Sequence, residues 1–176
     1  MKIKLSLLVT FLFISSCQLT NNITTNTPTQ TDNISSQKNL NNQFESDLFI
    51  AQSDARRWDI SANLVRAEAN WINEDGYVNW TYYFKSPFKR NAFRHGFSGF
   101  GEEVPDNFFG TEIRSFDIRI NSSQAIQKAK TQGLKNFPIS QMILEKKFGY
   151  AEWEIDSSNG IFRVNAENSN ISVIKK

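Results

Sequence analysis

Residues 150–166 read YAEWEIDSSNGIFRVNA, and this stretch decides the fold. Apolar and polar side chains alternate over 150–155 and again over 161–166, as they do in a strand with one buried face. Between them lies Asn159-Gly160, a dipeptide that fits the left-handed backbone of a two-residue hairpin turn. The stretch therefore predicts a β-hairpin and, around it, an antiparallel sheet.

The residues on either side extend this hairpin into a larger unit. Further strands are predicted at 139–146 and 171–174, because apolar and β-branched residues are frequent there. A helix is predicted over 122–132, capped by Ser122-Ser123 and ended by Gly133, since glycine tolerates the left-handed conformation that follows a helix. The inner face of this helix comprises Ala125, Ile126 and Ala129.

An earlier part of the chain has the same order of elements. Residues 47–57 predict a short amphipathic helix with Ser46 as its N-cap. Strands are predicted at 62–72 and 77–85, joined by a turn at Asn73-Glu74-Asp75-Gly76. The predicted inward positions are Leu48, Ala51 and Ala55 in the helix, Val65, Ala67, Ala69 and Trp71 in the first strand, and Val78, Trp80, Tyr82 and Phe84 in the second.

Trp80 and Trp153 occupy matching positions, each on the second strand of its unit. We predict an α+β fold in which two helix-plus-antiparallel-hairpin units, residues 46–86 and 120–176, form one curved antiparallel sheet packed on helices. Residues 111–120 are predicted to form a strand that leads into the second unit.

The second unit resembles a known family. Residues 120–129 read INSSQAIQKA and are followed by Gly133, Trp153 and the terminal hairpin sequence FRVNA at 162–166. This pattern is similar to PepSY-like domains, in which a Ser-capped helix with an Ala-Ile face packs on a small curved antiparallel sheet of cystatin-like type. The first unit matches more loosely. The resemblance implies a noncatalytic cell-envelope module that binds or restrains partner proteins such as proteases, and it carries over no binding residues because the matching positions are structural.

The N-terminus predicts export and lipid attachment. Residues 1–16 combine a charged start with an apolar run of about ten residues, which is too short to span a bilayer core of roughly 30 Å. The run ends at Ile14-Ser15-Ser16-Cys17, which resembles the lipobox of bacterial lipoproteins. This resemblance implies a lipoprotein signal peptide at 1–16, diacylglyceryl transfer to the Cys17 thiol, cleavage after Ser16 and acylation with chains such as palmitate. Acylated Cys17 would then attach the protein to the lipid bilayer, since two or more fatty chains give lasting anchorage.

Composition divides the rest of the chain. Residues 17–43 consist almost entirely of Asn, Thr, Ser and Gln after the cysteine, so they predict a disordered polar tether. The folded α+β domain is predicted over 44–176, an ordinary size for one domain. The predicted location is the cell envelope, with the domain in the periplasm or at the surface. Gln18 follows the cysteine where Asp would oppose sorting, so the outer membrane is expected if the host has two membranes.

Charge argues against nucleic acid as a partner. The full chain has 20 basic and 18 acidic side chains, and residues 1–16 contain two lysines and no acid, so the mature chain would have 18 of each. A neutral domain lacks the broad positive field of a nucleic-acid binder. Cys17 is the single cysteine, so no disulfide can form within one chain.

Residues suited to catalysis or to binding a metal or cofactor are sparse. His95 is the single histidine, which argues against a His-rich zinc site and a Ser-His-Asp triad, and we predict that it lies in a loop or at the surface. Glu102 and Glu103 with Asp106 offer paired carboxylates, but adjacent side chains point in different directions unless a metal gathers them. We therefore predict no enzyme activity, no metal and no cofactor.

A partner-binding patch is predicted in an aromatic and basic segment. No acid occurs between Asp75 and Glu102, and beyond Pro87 phenylalanines are interspersed with basic residues in a Gly-rich stretch. Such rings and charges could form a rim for anionic lipid, a glycan or an acidic protein surface. The alternative is that the rings fold back as a second small core under a long loop. The predicted patch comprises Lys85, Phe88, Lys89, Arg90, Phe93, Arg94 and Phe97.

Two functional classes fit these observations. The first is a lipid-anchored binding module that docks an envelope protein or a glycan through an exposed sheet or the aromatic segment. The second is a structural or assembly accessory lipoprotein of the outer membrane, which would co-purify with a membrane complex in stoichiometric amount. A cystatin-like-fold hydrolase ranks third, because it needs a pocket with converging polar groups.

Overall fold

The computed structural model describes residues 32–73, 78–96 and 98–176, and the side chains of the first helix from residue 43 onward. In these ranges the chain is an α+β protein with one antiparallel sheet of eight strands and two α-helices, which confirms the predicted class. The helices are α1 (Asp32–Trp58) and α2 (Ser122–Thr131). The strands are β1 (Asn63–Ile72), β2 (Trp80–Lys85), β3 (Asn91–His95), β4 (Gly101–Pro105), β5 (Ile139–Lys147), β6 (Tyr150–Ser157), β7 (Gly160–Asn165) and β8 (Ile171–Ile174), and a 3-10 helix (Ser115–Asp117) precedes α2.

The strand order across the sheet is β4-β3-β2-β1-β5-β6-β7-β8. β1 and β5 form the central pair, with Arg66 opposite Glu145 and Ile72 opposite Ile139. α1 contacts β1 to β4 and α2, while α2 contacts β6 and β7. Both helices lie on one face of the sheet, and the opposite face has no helical cover in the described ranges.

The core lies between the helices and the sheet, and aromatic side chains form its centre. The ring of Phe44 on α1 makes edge contacts with Trp80 at 4.8 Å and with Trp153 at 5.4 Å between ring centroids. Two hydrogen bonds satisfy polar atoms in this cluster: Tyr82 Oη donates to Phe44 O at 2.8 Å, and Trp153 Nε1 donates to Ile120 O at 2.7 Å. The predicted inward face of β2 is buried and thereby confirmed.

α1 is longer than the sequence predicted. It begins at Asp32, so residues 32–43, predicted as part of a flexible tether, are helical, and Ser46 is not an N-cap because it lies inside the helix. The cause is cooperativity. Once buried residues such as Phe44 fix a helix on the sheet, each additional residue adds a hydrogen bond without a new nucleation cost, even in a polar sequence. Residues 1–31, with the predicted signal peptide and the rest of the tether, lie outside the described residues.

β1 contains an irregularity that strict alternation did not predict. The pairing with β2 shifts register between Leu64 and Arg66, as in a β-bulge, so Leu64 and its neighbour Val65 are both buried. Near the other end, Trp71 has a φ of 56° and is 71% exposed, so its predicted place in the core is wrong. Ile72 is buried in its stead. The predicted turn that follows falls largely on residues 74–77, outside the described residues.

The segment between β4 and α2 crosses one end of the sheet. Residues 111–120 were predicted as a strand, but no strand forms there. The backbone hydrogen bonds of this segment go instead to strand ends, with Ile113 N donating to Leu64 O at 2.7 Å and Ile120 N donating to Ala166 O at 2.7 Å. This route is needed because β4 is one edge of the sheet, whereas α2 covers the other half.

α2 and the strands after it agree with the sequence prediction within a few residues. The cap is Asn121, one residue before the predicted pair of serines, and its side chain accepts a hydrogen bond from Gln124 N at 2.9 Å. Gly133 follows the helix with a φ of 104°, as expected for its C-terminus. The turn between β6 and β7 lies at Ser158 and Asn159, and β8 has the predicted bounds.

Candidate functional site on the open face of the sheet

The face of the sheet opposite the helices, which we call the open face, carries the polar members of each alternating strand. Because successive side chains of a strand point to opposite faces, the alternation that builds the core also brings these charges to one surface. The strand register places the following side chains on it: Arg66, Glu68, Tyr83, Arg94, Ile143, Glu145, Glu152, Glu154, Asp156, Ile161 and Arg163.

The centre of the open face is a hydrogen-bonded group on β1 and β2. Arg66 donates from Nε and Nη2 to Glu68 Oε2, at 3.0 and 2.9 Å. Tyr83 Oη donates to the other carboxylate oxygen of Glu68 at 2.7 Å. Burial, together with this hydrogen bond, raises the pKa of Tyr83 to about 12, so the hydroxyl remains a donor at neutral pH.

Glu145 on β5 continues this group toward the second half of the sheet. Its buried carboxylate lies 2.7 Å from Lys147 Nζ and 3.7 Å from Arg66 Nη1, so the charge is compensated as buried charges must be. Gly110 covers it. A Cβ at position 110 would lie 2.7 Å from Val65 O and 3.1 Å from Glu145 Cγ, so only glycine permits this close approach.

The strip formed by β6 and β7 is acidic. Arg163 Nε lies 2.9 Å from Glu154 Oε2 and 3.9 Å from Glu152 Oε1. Burial raises the pKa of Glu152; Arg163 acts in the opposite direction, and the neighbouring Glu154 adds to the increase. Asp156 follows on the same face and pairs with Lys176 at 2.5 Å. Three acids on β6 thus face Arg163 and Lys176, while Lys147, which also acts on Glu152, is paired with Glu145.

One end of the open face is covered by the segment that leaves β4. The ring of Phe108 packs on Tyr83 with 4.3 Å between centroids. Lys85 fixes this segment, since its ammonium lies 2.7 Å from Asp106 Oδ1 and also donates to Phe108 O. Beyond this contact and that of Gly110 with Glu145, side chains on β6 and β7 such as Glu152, Glu154 and Arg163 are partly exposed.

The predicted patch is not one surface, because it includes adjacent residues of β3 whose side chains point to opposite faces of the sheet. Phe93 is buried on the helix side, where its ring stacks on Trp58 at 5.5 Å between centroids. Arg94, the next residue, pairs with Glu102 on the open face. The irregular loop predicted here is in fact two short antiparallel strands, β3 and β4.

The other patch residues are also divided. Lys85 is occupied by Asp106, as described above, and Phe97 lies outside the described residues. Phe93 belongs to the main core, whereas the ring of Phe108 folds back on Tyr83 at the open face, so the described rings do not gather into one separate small core. Apart from Arg94 on the open face, the exposed members of the patch lie together in the β2–β3 turn, and they are Phe88, Lys89 and Arg90.

His95 was predicted to lie in a loop or at the surface, and this prediction is wrong. Pairing of β3 with β2 places it opposite Tyr82 and beneath α1, where it is 6% exposed, with Nδ1 3.1 Å from Asp54 Oδ2. A cavity of about 220 Å³ adjoins it and contains one further acid, Asp47. Burial raises the pKa of Asp47, while a hydrogen bond from Gln43 and the charge of His95 act in the opposite direction. Sequence reasoning missed this cavity because it depends on how α1 crosses β3.

The three carboxylates considered for catalysis are apart. Glu102 faces Arg94, whereas the adjacent Glu103 points to the helix side, where its Oε1 accepts from Trp58 Nε1 at 2.6 Å. Asp106 is paired with Lys85. Within residues 32–73, 78–96 and 98–176, no group of three or more His, Cys, Asp or Glu side chains is placed to hold a metal ion.

Comparison with known proteins gives a similar fold and no family. No protein-family model matches the chain, and no curated protein matches it. The fold is similar to the 1.85 Å crystal structure of a putative lipoprotein (CD1622) from Clostridium difficile 630, with a TM-score of 0.50 and 12% sequence identity over 76% of this chain and 91% of that chain. At this identity the similarity concerns the fold alone. Among the helices that the structure describes, none has the length and apolar character needed to cross a membrane.

Proposed function

We propose that this protein is a lipid-anchored lipoprotein of the bacterial envelope whose noncatalytic domain binds a partner protein through the open face of its sheet. The observation that carries the proposal is the ordered set of charges on that face, such as the Arg66–Glu68–Tyr83 group. Groups held in place lose little conformational entropy on binding. The ion pairs of Arg163 with Glu152 and Glu154 are more exposed, and pairs at a surface add only about 0–1 kcal/mol each to stability, so these charges remain available for recognition.

The acidic strip on β6 and β7 makes this part of the open face negatively charged. Glu152 and Glu154 outnumber Arg163, their shared cationic neighbour. A basic segment of a partner protein is complementary to this strip, and charge complementarity favours both the rate and the specificity of association. The proposal therefore specifies a protein partner in place of the glycan that the sequence left open.

The anchor is supported by the N-terminal sequence. Ile14-Ser15-Ser16-Cys17 has the lipobox pattern, and Cys17 itself lies outside the described residues. The Clostridium difficile protein with a similar fold is described as a putative lipoprotein, which agrees with this assignment. We place the mature protein at the outer membrane where the host has one, with the domain on the aqueous side.

The order of elements supports a two-unit origin of the fold. α1 precedes β1 to β4, α2 precedes β5 to β8, and both sets of strands run outward from the central β1–β5 pair. Trp80 and Trp153 lie on the second strand of each set, and both are buried. We infer two PepSY-like units, each with one helix and four strands, in which the sheet face away from the helices serves binding.

Site-specific photocrosslinking in native membranes tests the proposed function. A photoreactive residue at Ile143 or Glu154, both on the open face, should give one discrete adduct, whereas the same residue at Lys128, exposed on α2, should not. Glu152→Lys should weaken the adduct formed from position 143, because it reverses a negative charge of the acidic strip, and Glu45→Lys, exposed on α1, is the matched charge-reversed control. Equal crosslinking from all three positions, or none from a folded and anchored protein, would contradict binding at this face.

The anchor has its own test. The mass of the mature chain should correspond to residues 17–176 carrying acyl chains, and Cys17→Ser should leave the protein extractable from membranes by carbonate. A mature chain that retains residues 1–16 with a free thiol would remove the lipoprotein assignment. The open-face proposal could then still be tested by its crosslinks.

A further inference from the structure

Large apolar side chains concentrate at one end of the sheet. This end, which we call the loop end, is where α1 leads into β1, where the β2–β3 and β5–β6 turns lie, and where residues 106–121 cross toward α2. Five large apolar side chains there are between 60% and 97% exposed, which is half of the ten large apolar side chains exposed in the described ranges. They are Ile60, Phe88, Phe109, Phe116 and Phe148.

Hydrogen bonds hold these loops against one another. Thr111 N donates to Lys146 O at 3.4 Å, which brings the segment after Phe109 to the β5–β6 turn that carries Phe148. Lys146 Nζ also donates to Asp117 Oδ2 at 2.9 Å, next to Phe116. The exposed rings therefore project from a fixed framework at separate points.

Most of the charge that remains unpaired at the loop end is positive. Three of its acids are paired with cations, Asp106 with Lys85, the buried Asp117 with Lys146 and Glu112 with Arg114, whereas Asp59 accepts a hydrogen bond from Ser61 N and makes no ion pair within the described ranges. Arg90 and Arg119 are exposed and make no ion pair within the described ranges. Lys89, beside Arg90, lies over the ring of Trp58 at 5.7 Å and is also exposed.

From this geometry we infer that the loop end docks on an anionic phospholipid surface. Separate rings on different loops do not form the continuous patch that a protein partner covers, but each can enter the boundary between headgroups and acyl chains on its own. Basic side chains among them are attracted by the negative surface potential of anionic lipid. Burial of the Phe rings stabilises this contact, and the lipid anchor keeps the domain near the bilayer so that a modest contribution suffices.

The length of chain before α1 permits this docking on the same membrane as the anchor, and the inference rests on the proposed lipidation of Cys17. α1 has 27 residues, about 40 Å, and its C-terminus is at the loop end. Residues 17–31 can span at most about 50 Å, so the loop end can reach the bilayer that holds Cys17 even if α1 stands upright on it. With the loop end on the bilayer, the two helices and the open face remain accessible to a partner.

Environment-sensitive labels on the full lipidated protein test this inference. Because the thiol of Cys17 is blocked by lipid, a nitrobenzoxadiazole label reacts only at a new cysteine, Phe109→Cys or Phe148→Cys at the loop end. Phe49→Cys on α1 and Phe100→Cys before β4 are matched controls, since both native rings are also highly exposed. In vesicles containing phosphatidylglycerol, the labels at 109 and 148 should shift to shorter wavelength and be quenched by lipid-attached quenchers, and the controls should not.

A charge variant adds a second readout. Arg90→Gln with Arg119→Gln should reduce the label shift in vesicles with phosphatidylglycerol and have little effect in vesicles of phosphatidylcholine alone. Water-like emission at 109 and 148 in an anchored protein would overturn the docking and leave the proposed function intact. Emission shifts that occur in native membranes but not in pure lipid vesicles would indicate that the loop end contacts a protein. This outcome would also overturn its docking on phospholipid. A chain that does not float with the vesicles would overturn the anchor and the docking together.

Discussion

Gly101 allows β4 to pack beneath an aromatic ring, and its replacement should destabilise the first half of the sheet. A Cβ at this position would lie 1.9 Å from Cζ of Phe93 and 2.6 Å from Cε1, far inside contact distance. The ring cannot remain where it is, although it stacks on Trp58 and is 7% exposed. Trp58 in turn donates to Glu103 on the same strand as Gly101.

Gly101→Ala should therefore lower the free energy of unfolding by about 2–4 kcal/mol. Forcing an extra methyl group into a packed site costs about 1–3 kcal/mol, and loss of a stacked ring pair adds about 0.5–1.5 kcal/mol. Gly96→Ala, at the other end of the same hairpin connection, is the matched control, because its Cβ would meet nothing nearer than Thr81 Oγ1 at 4.0 Å.

Urea denaturation followed by circular dichroism measures both variants. The reasoning also predicts a non-additive rescue, since Phe93→Leu removes the atoms that clash and should cost less in the Gly101→Ala background than alone. If Gly101→Ala unfolds at the same urea concentration as Gly96→Ala, the close approach of the ring to residue 101 is refuted.

Two further stability predictions follow from buried polar contacts. Burial alone would raise the pKa of Asp117, but hydrogen bonds from a backbone N–H and from Lys146 lower this pKa below the ordinary value of 3.8. The ionised carboxylate therefore contributes its full stabilisation of the fold above pH 3.8 and progressively less below it. Asp117→Asn should thus lower the free energy of unfolding by about 2 kcal/mol at neutral pH. In urea titrations, the difference in this free energy between the variant and the wild type should become smaller as the pH falls below 3.8. A difference that grows as the pH falls would contradict the pairing of Asp117 with Lys146. Trp153→Phe removes the hydrogen bond to Ile120 O and leaves a void, so it should lower the free energy of unfolding by about 2–3 kcal/mol, measured by thermal and urea unfolding. Trp71 is exposed, so Trp71→Phe should change this free energy by no more than about 0.5 kcal/mol. Equal effects of the two tryptophan substitutions would contradict the burial described.

The second half of the fold could be predicted from local sequence because its signals are local. β6 and β7 alternate around a strong turn, and α2 has a cap and a terminating glycine. β3 and β4 could not be predicted in the same way. Asn91–His95 and Gly101–Pro105 are short and contain charged residues, glycine and proline, so their own pattern does not indicate strands. They become strands because β3 pairs with β2 and β4 pairs with β3. The helical course of residues 32–43 likewise depends on the docking of later residues.

The same limit applies to the binding surfaces. Clustering of Phe93 and Arg94 in sequence predicted one patch, but adjacent residues of a strand face opposite sides, and this could be known only after β3 was known. The open face was in principle accessible from sequence. The turn after Ser157 sets the register that brings Glu154 opposite Arg163. The alternation of polar and apolar residues therefore already indicates that these two charged side chains share the face away from the core.

The central position of β1 has a consequence for the order of folding. Its neighbour β5 ends at Lys147, 75 residues after β1 ends at Ile72, so β1 is available for pairing well before β5. Until β5 is in place, the first helix and its four strands can assemble, but one long hydrogen-bonding edge of β1 has no mate and can pair with other chains. A holding chaperone would therefore influence the yield of this protein more than that of a sheet whose middle strands are consecutive.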